Sequence, residues 1–206
     1  FSEQYFGSSY GKAEMWLVLA TRPGAKLYFG FREKITKEQF AEAVAKSESD
    51  KEIMTTLVNE LDVQPGDVYF IPAKMIHAIG YGCLILEIQE PTDFTIQPEA
   101  WCGDYRLNEY EMYLGVDKDV ALDCFDYTVY GPHVPQLGRK EPVVTGKIGD
   151  AVAEKLVDAT DTPCFAVNRY RAESGSFPLR HAPAIYVVTE GQGVVQKEGF
   201  CQQMQK

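Results

Sequence analysis

No uninterrupted apolar run in this chain approaches the roughly 18 residues that a membrane-spanning helix needs, so no such helix is expected. No charged-then-apolar leader opens it either, although the first residue is Phe1 and not Met, which leaves a removed leader open. Paired cysteines are missing too. The five that occur (Cys83, Cys102, Cys124, Cys164 and Cys201) are odd in number and form no CxxC pair. They read as reduced thiols of a cytoplasmic protein and not as a disulfide framework. Positive charge is scarce: 20 Lys and Arg against 30 Asp and Glu leave a net charge of −10. That balance repels nucleic acid and anionic membrane, and neither is expected as a partner. Any anionic ligand must find its cations locally.

What is present is ordinary for a soluble globular protein, with 45% hydrophobic and 24% charged residues in 206. That length holds one large domain or two small ones with a proper core. Short β-like runs separated by Gly, Pro and Asp predict a mainly β fold, a barrel or sandwich with a few helices.

The stretch Gly66–Gln89 organises the rest. Pro65-Gly66-Asp67 makes a turn into a short strand, Val68–Ile71, that stops at Pro72. A loop delivers His77, and Gly80-Tyr81-Gly82 turns the chain into a second apolar strand, Cys83–Gln89. Inside that strand sits Glu87, whose burial is costly unless a metal, a substrate or another group compensates it. At this level two readings stand open. In one, His77 and Glu87 face a site; in the other, the His bonds to backbone and the Glu lies on the open face of an amphipathic strand.

Along the chain, Phe1, Tyr5 and Phe6 share a helical face before a Gly/Ser turn. Glu14–Leu19 reads as a strand, Arg22–Ala25 as a hairpin turn, and Lys26–Phe31 as the strand that pairs back. Thr36-Lys37-Glu38-Gln39 is a capping box that opens a helix through Phe40 and Val44. Ser49–Glu52 reads as a second box, with Ile53, Met54, Leu57, Val58 and Leu61 following at helical spacing as core residues. After Gln89 the chain is extended and polar, and Asp117 caps a short helix. The Pro- and Gly-rich segment 131–142 reads as a linker, with His133 solvated on it. Residues 163–206 start a second β unit, with Cys164–Glu173, a Ser-Gly turn and then Ala184–Gln196.

Three motifs in order, Lys12-Ala13-Glu14-Met15-Trp16, Pro72-Ala73-Lys74-Met75-Ile76-His77-Ala78 and Leu86-Glu87-Ile88-Gln89, resemble the class I mannose-6-phosphate isomerases, which are two-cupin metalloenzymes. The resemblance runs from Phe6 to about Tyr130. It implies a cupin double-stranded β-helix (jelly roll) in a bicupin arrangement. Residues 1–130 would be the metal-binding domain with a helical insertion at 36–62, 131–145 the linker, and 146–206 part of a second barrel. Carried over residue by residue, it makes Glu14 and His77 ligands of one divalent metal ion, zinc being the expected one. Further ligands are expected from a Q-x-H strand upstream of Phe1, on a chain expected to be trimmed at both ends. Lys12 would neutralise developing negative charge and Glu87 would take part in proton transfer.

The same comparison exposes departures. The family's Arg after the E-x-Q motif is matched by Gln97, which has no charge. Arg106 is the nearest cation that could replace it, and the family's Gly-Thr before the His is Lys74-Met75 here. Lys74 and Gln97 are therefore candidate substrate-binding residues, and Arg106 joins Lys12 and Glu87 as a candidate catalytic residue. His181 and Glu190 lie in a second unit that lacks the paired His-x-His of a metal cupin, so both read as structural. The implied activity is interconversion of mannose 6-phosphate and fructose 6-phosphate by a cytoplasmic monomer or homodimer. Rival readings are a non-catalytic sugar-binding or regulatory cupin and, more remotely, a metal oxygenase or epimerase.

Overall fold

The computed structural model describes residues 1–179 and 183–206, which leaves His181 outside the described residues. In chain order come helix α1 (Ser2–Phe6), strands β1 (Glu14–Thr21) and β2 (Lys26–Phe31), and helix α2 (Lys37–Lys46). A 3-10 turn (Ile53–Leu57) leads into β3 (Val58–Asp62), β4 (Val68–Ile71), β5 (His77–Ile79) and β6 (Cys83–Gln89). Beyond a two-rung ribbon, β7 (Trp101–Cys102) and β8 (Tyr105–Arg106), lie helices α3 (Glu109–Tyr113), α4 (Lys118–Leu122) and α5 (Val134–Gly138). Strands β9 (Arg139–Lys140), β10 (Val143–Ile148), β11 (Ala151–Val157), β12 (Val167–Arg171), β13 (Gln192–Lys197) and β14 (Phe200–Gln205) complete the chain.

Two antiparallel sheets carry the first half, β6-β1-β4-β9 and β3-β2-β5. Trp16 and Val18 of β1, Leu27 and Phe29 of β2, and Tyr69 and Ile71 of β4 pack together with Val134 into a core shared by the two sheets. Residues of odd number on β1 go elsewhere: Met15 and Leu17, with Val68, pack against Leu156 and Val157 of β11. β1 is thus buried on both faces, which is why Met15–Leu19 shows no alternation of apolar and polar residues. A third core, around Phe31, Phe40, Met54, Tyr113 and Leu122, fixes the helices beside the sheets. The mainly β, antiparallel character expected from the sequence is what the structure shows, without a closed barrel among the described residues.

Several local expectations need correction. The strands on either side of Arg22–Ala25 do not pair with each other. β1 is flanked by β4 and β6, and β2 by β3 and β5, so the turn carries the chain from one sheet to the other. The second helix ends early. Asp50 accepts from the Glu52 N–H, but only a 3-10 turn follows, and Val58–Asp62 is a strand of the region read as helical insertion. Tertiary structure overrides helical spacing there, because Asn59 is needed on the sheet.

The side chain of Asn59 is buried, and its Nδ2 lies 3.1–3.2 Å from the carbonyls of Phe29, Gly30, Phe31 and Gly131. It pins a bulge in β2 where the register with β3 shifts between Tyr28 and Phe31. Gly30 sits in that bulge at φ 70°, and a Cβ there would lie 2.4 Å from Val134 Cγ1. Only glycine suits both demands. The Gly30 N–H in turn donates to the Ile76 carbonyl at 2.8 Å, so the bulge anchors the residue before His77.

The segment read as a solvated linker is packed over part of its length. Val134, Pro135 and Gly138 of α5 are buried, β9 adds to the first sheet beside β4, and β10 already starts at Val143. His133 is exposed, as expected. In the second unit β10, β11 and β12 form one sheet, and β13 pairs with β14 as a separate hairpin. Residues 184–189, expected to begin a strand, carry no regular structure, and the second strand starts at Gln192.

Replacing Asn59 with Leu is expected to destabilise the protein by about 1–3 kcal/mol, because buried carbonyls lose their donor. Urea unfolding measures this directly. An unchanged midpoint and slope would mean that the bulge holds without Asn59.

Candidate active site

The period of two along β1 puts Glu14 on the same face as Trp16 and Val18, toward the shared core, at the end of the strand. Register then sets the neighbours: Glu14 lies opposite Ile71 of β4 and Gln89 of β6, and Trp16 lies opposite Glu87. His77 enters from the other sheet, opposite Phe29 at the start of β5. Lys12 precedes β1 on a segment tied down at Ala13, whose carbonyl accepts from the Glu90 N–H at 2.9 Å, and at Gly11, whose carbonyl accepts from the Thr92 hydroxyl.

These four side chains meet. Nε2 of His77 lies 2.5 Å from Glu14 Oε1, and Lys12 Nζ lies 3.3 Å from Glu14 Oε2, 3.7 Å from Glu87 Oε1 and 3.9 Å from the exposed Asp93. The Glu14 side chain is 1% exposed. Although His77 is so near, Glu14 Oε1 accepts no well-aligned hydrogen bond. The other ring nitrogen explains this. Nδ1 sits 2.7 Å from the Met75 carbonyl, which is an acceptor only, so Nδ1 must carry the proton. In the neutral ring Nε2 then turns a bare lone pair toward a carboxylate oxygen. Such a contact holds only with a positive charge between the two atoms, a proton or a metal ion.

The donor set suits a metal: a carboxylate oxygen and an imidazole nitrogen whose ring is oriented by a backbone carbonyl. Two ligands are what these residues offer. Among the described residues, no group of three or more His, Cys, Asp and Glu side chains is disposed to hold an ion.

The carboxyls are driven in opposite directions. Burial pushes Glu14 up, but the His77 ring, the bond with Glu87 and the Lys12 charge outweigh it and bring its pKa down to about 2. Glu87 is pushed up, by burial first and then by Glu14, while Lys12 and the Trp16 N–H act against the rise. Of the pair, Glu14 is the one held as carboxylate and Glu87 the one that favours a proton.

The remaining sequence candidates lie elsewhere. Lys74 is exposed, three residues before His77, with its backbone at φ 75°. Gln97 is exposed, and its N–H donates to the Met112 carbonyl. Arg106 pairs with Glu48 beside the helices and contacts none of the four site residues. Two participants were not singled out from the sequence. Asp93 carries no signal beyond its place after β6. Trp16 stood in the quoted motif and is explained by register alone.

Because Glu14 is depressed, its contribution to stability is complete above the unfolded value of 4.5 and is lost as pH falls toward about 2. Glu14→Gln should therefore lose less stability than the unmodified protein when urea unfolding is moved from about pH 5 to about pH 3. Equal losses in the two proteins would show that Glu14 is not held as a carboxylate.

No protein-family model matches the chain. Mannose-6-phosphate isomerase ManA of Bacillus subtilis (strain 168) is 26% identical over 184 residues, which are 89% of this chain and 52% of that protein. The probable mannose-6-phosphate isomerase GmuF of the same organism is 24% identical over 203 residues, 97% of this chain and 58% of that protein. A mannose-6-phosphate isomerase of Streptococcus mutans is 34% identical over 85 residues, 41% of this chain and 25% of that protein. The chain thus spans about half the length of the first two relatives. Among solved structures, the mannose 6-phosphate isomerase from Bacillus subtilis superposes with a TM-score of 0.67 at 20% identity, over 100% of this chain and 60% of that one. At that identity the likeness speaks for the fold. Curated relatives named mannose-6-phosphate isomerase are thus matched along nearly the whole chain, and its antiparallel sheets share the fold of the mannose 6-phosphate isomerase from Bacillus subtilis.

Proposed function

We propose that this chain carries the site of a metal-dependent aldose–ketose isomerase that interconverts mannose 6-phosphate and fructose 6-phosphate. The observation behind this is the meeting of Lys12, Glu14, His77 and Glu87 at the end of β1, with a contact between Glu14 and His77 that calls for a cation. The names of the curated relatives support the same reading. Residues 1–130 hold the site, and 146–206 belong to a second unit packed on the back of β1.

In this reading Glu14 and His77 supply two ligands of a divalent metal, zinc by the character of the donors. When bound, the metal polarises the sugar oxygens at the reacting carbons. Glu87, whose pKa burial and Glu14 push up, takes the proton from C2 of the aldose and returns it at C1. The proton on the C2 hydroxyl moves to the C1 oxygen, so atoms and charge balance without an oxidant. Lys12, 3.7 Å from Glu87, stabilises the negative charge that develops on those oxygens. Lys74 and Gln97 make no contact with these four and enter the reading only through the resemblance, as a cation for the phosphate and a neutral donor for the sugar on a protein whose net charge is −10. The pairing of Arg106 with Glu48 gives it no part in this scheme.

Replacing Glu87 with Gln should lower turnover of either sugar phosphate by about 10²–10⁴, the usual weight of a general acid–base group. An unaltered rate in that variant, assayed in the full-length protein with metal, would remove Glu87 from the chemistry. Because Gln97 lacks the charge of the Arg that the resemblance places there, the unmodified rate should be low. Gln97→Arg should raise it, by up to about 10²–10³ if the guanidinium reaches the developing charge. A rate left unchanged or lowered by that substitution would assign Gln97 no role in stabilising charge.

A further inference from the structure

Trp16 touches two of the four site residues and has no part in the scheme above. Its indole is 2% exposed, and its Nε1 donates to Glu87 Oε2 at 3.1 Å. Its ring meets His77 edge-on, with centroids 5.2 Å apart and an interplanar angle of 74°. Register places it directly opposite Glu87, so the bond spans neighbouring strands and needs no loop to form.

An indole N–H only donates. Oε2 of Glu87 is therefore kept as an acceptor, and a proton carried by this carboxyl sits on Oε1, the oxygen 3.7 Å from Lys12 Nζ. Without the indole the terminal torsion of a glutamate is broad and roughly two-fold, and the two oxygens are equivalent. The same ring packs in a T-shaped contact with the imidazole whose Nδ1 is tied to the Met75 carbonyl, so two contacts hold the plane of His77.

We propose that Trp16 is a positioning residue, which assigns the proton-carrying role to Oε1 of Glu87 through its N–H and steadies the His77 ring through the T-shaped contact. The effect on turnover rests on the isomerase reading, while the hydrogen bond itself does not. Trp16 thus acts on the reaction through Glu87 and has no contact with the reacting atoms.

Two measurements on the full-length protein test this. In the metal-free protein, the Trp16 Nε1–H resonance is the indole signal that Trp16→Phe removes. It should move upfield in Glu87→Leu, while that of Trp101, the other tryptophan of the chain, stays in place. In the metal-loaded protein, Trp16→Phe keeps an aromatic ring beside His77 but removes the donor. It should lower kcat about tenfold, in keeping with loss of one hydrogen bond to a charged group, with KM changed less than about twofold. In the Glu87→Leu background the same substitution should cost nothing further, since the two residues act as one unit. A Trp16 resonance that ignores Glu87→Leu overturns the proposal whatever the enzyme turns over, and so do additive losses in the double variant. Absence of turnover in the unmodified protein instead overturns the isomerase reading, and the resonance alone then decides whether Trp16 holds Glu87.

Discussion

Everything in the site turns on one contact, a buried carboxylate facing the Nε2 of a histidine. Glu14 is almost wholly withdrawn from water at the end of a strand, where an uncompensated charge is costly. Lys12 offsets part of that cost on one oxygen. The other oxygen faces His77 Nε2 at 2.5 Å with no aligned hydrogen bond. Because the Met75 carbonyl engages Nδ1, the pair is satisfied by positive charge at Nε2, a proton or a metal ion.

The surrounding fold keeps this geometry in place. β1 is gripped on both faces, by the shared core in front and by Leu156 and Val157 of β11 behind, so Glu14 and Trp16 cannot shift register without burying Met15 and Leu17 wrongly. The opposite wall depends on the Gly30 bulge, where Asn59 gathers four carbonyls and the Gly30 N–H holds Ile76. The second unit reaches the site as well. Its Thr162 hydroxyl donates to Glu90 Oε1 at 2.9 Å, and Glu90 in turn carries the backbone of Ala13, between Lys12 and Glu14. Thr162 thus helps to set the backbone that carries Lys12 and Glu14.

Much of this was legible before any coordinates. The apolar strand around Glu87, the His delivered by a loop and the Lys-x-Glu at a strand start each have a local signature, and their order carries the resemblance to mannose-6-phosphate isomerases. The Thr36 box capped its helix and Asp117 capped another, because capping depends on neighbours in sequence. Failures came where distant residues decide. Helical spacing across Ile53–Leu61 was overridden by the need for Asn59 in a sheet, and Arg22–Ala25 looked like a hairpin because its partner strands are supplied from far along the chain. Pro and Gly at 131–142 suggested a solvated linker, but Val134 fills the space left by Gly30, a match no local rule reveals. Arg106 was a candidate by charge and proximity in sequence; the ribbon β7–β8 carries it to Glu48 instead.

The most direct test of the account is the metal content of the full-length protein, measured after dialysis against trace zinc, beside His77→Gln and Glu14→Gln. The account predicts close to one zinc per chain in the unmodified protein and a loss of affinity of at least about 10-fold in each variant, as removing a ligand or its orienting partner does. Equal zinc retention in all three proteins would contradict it, since the Glu14–His77 contact would then not be where the ion is held.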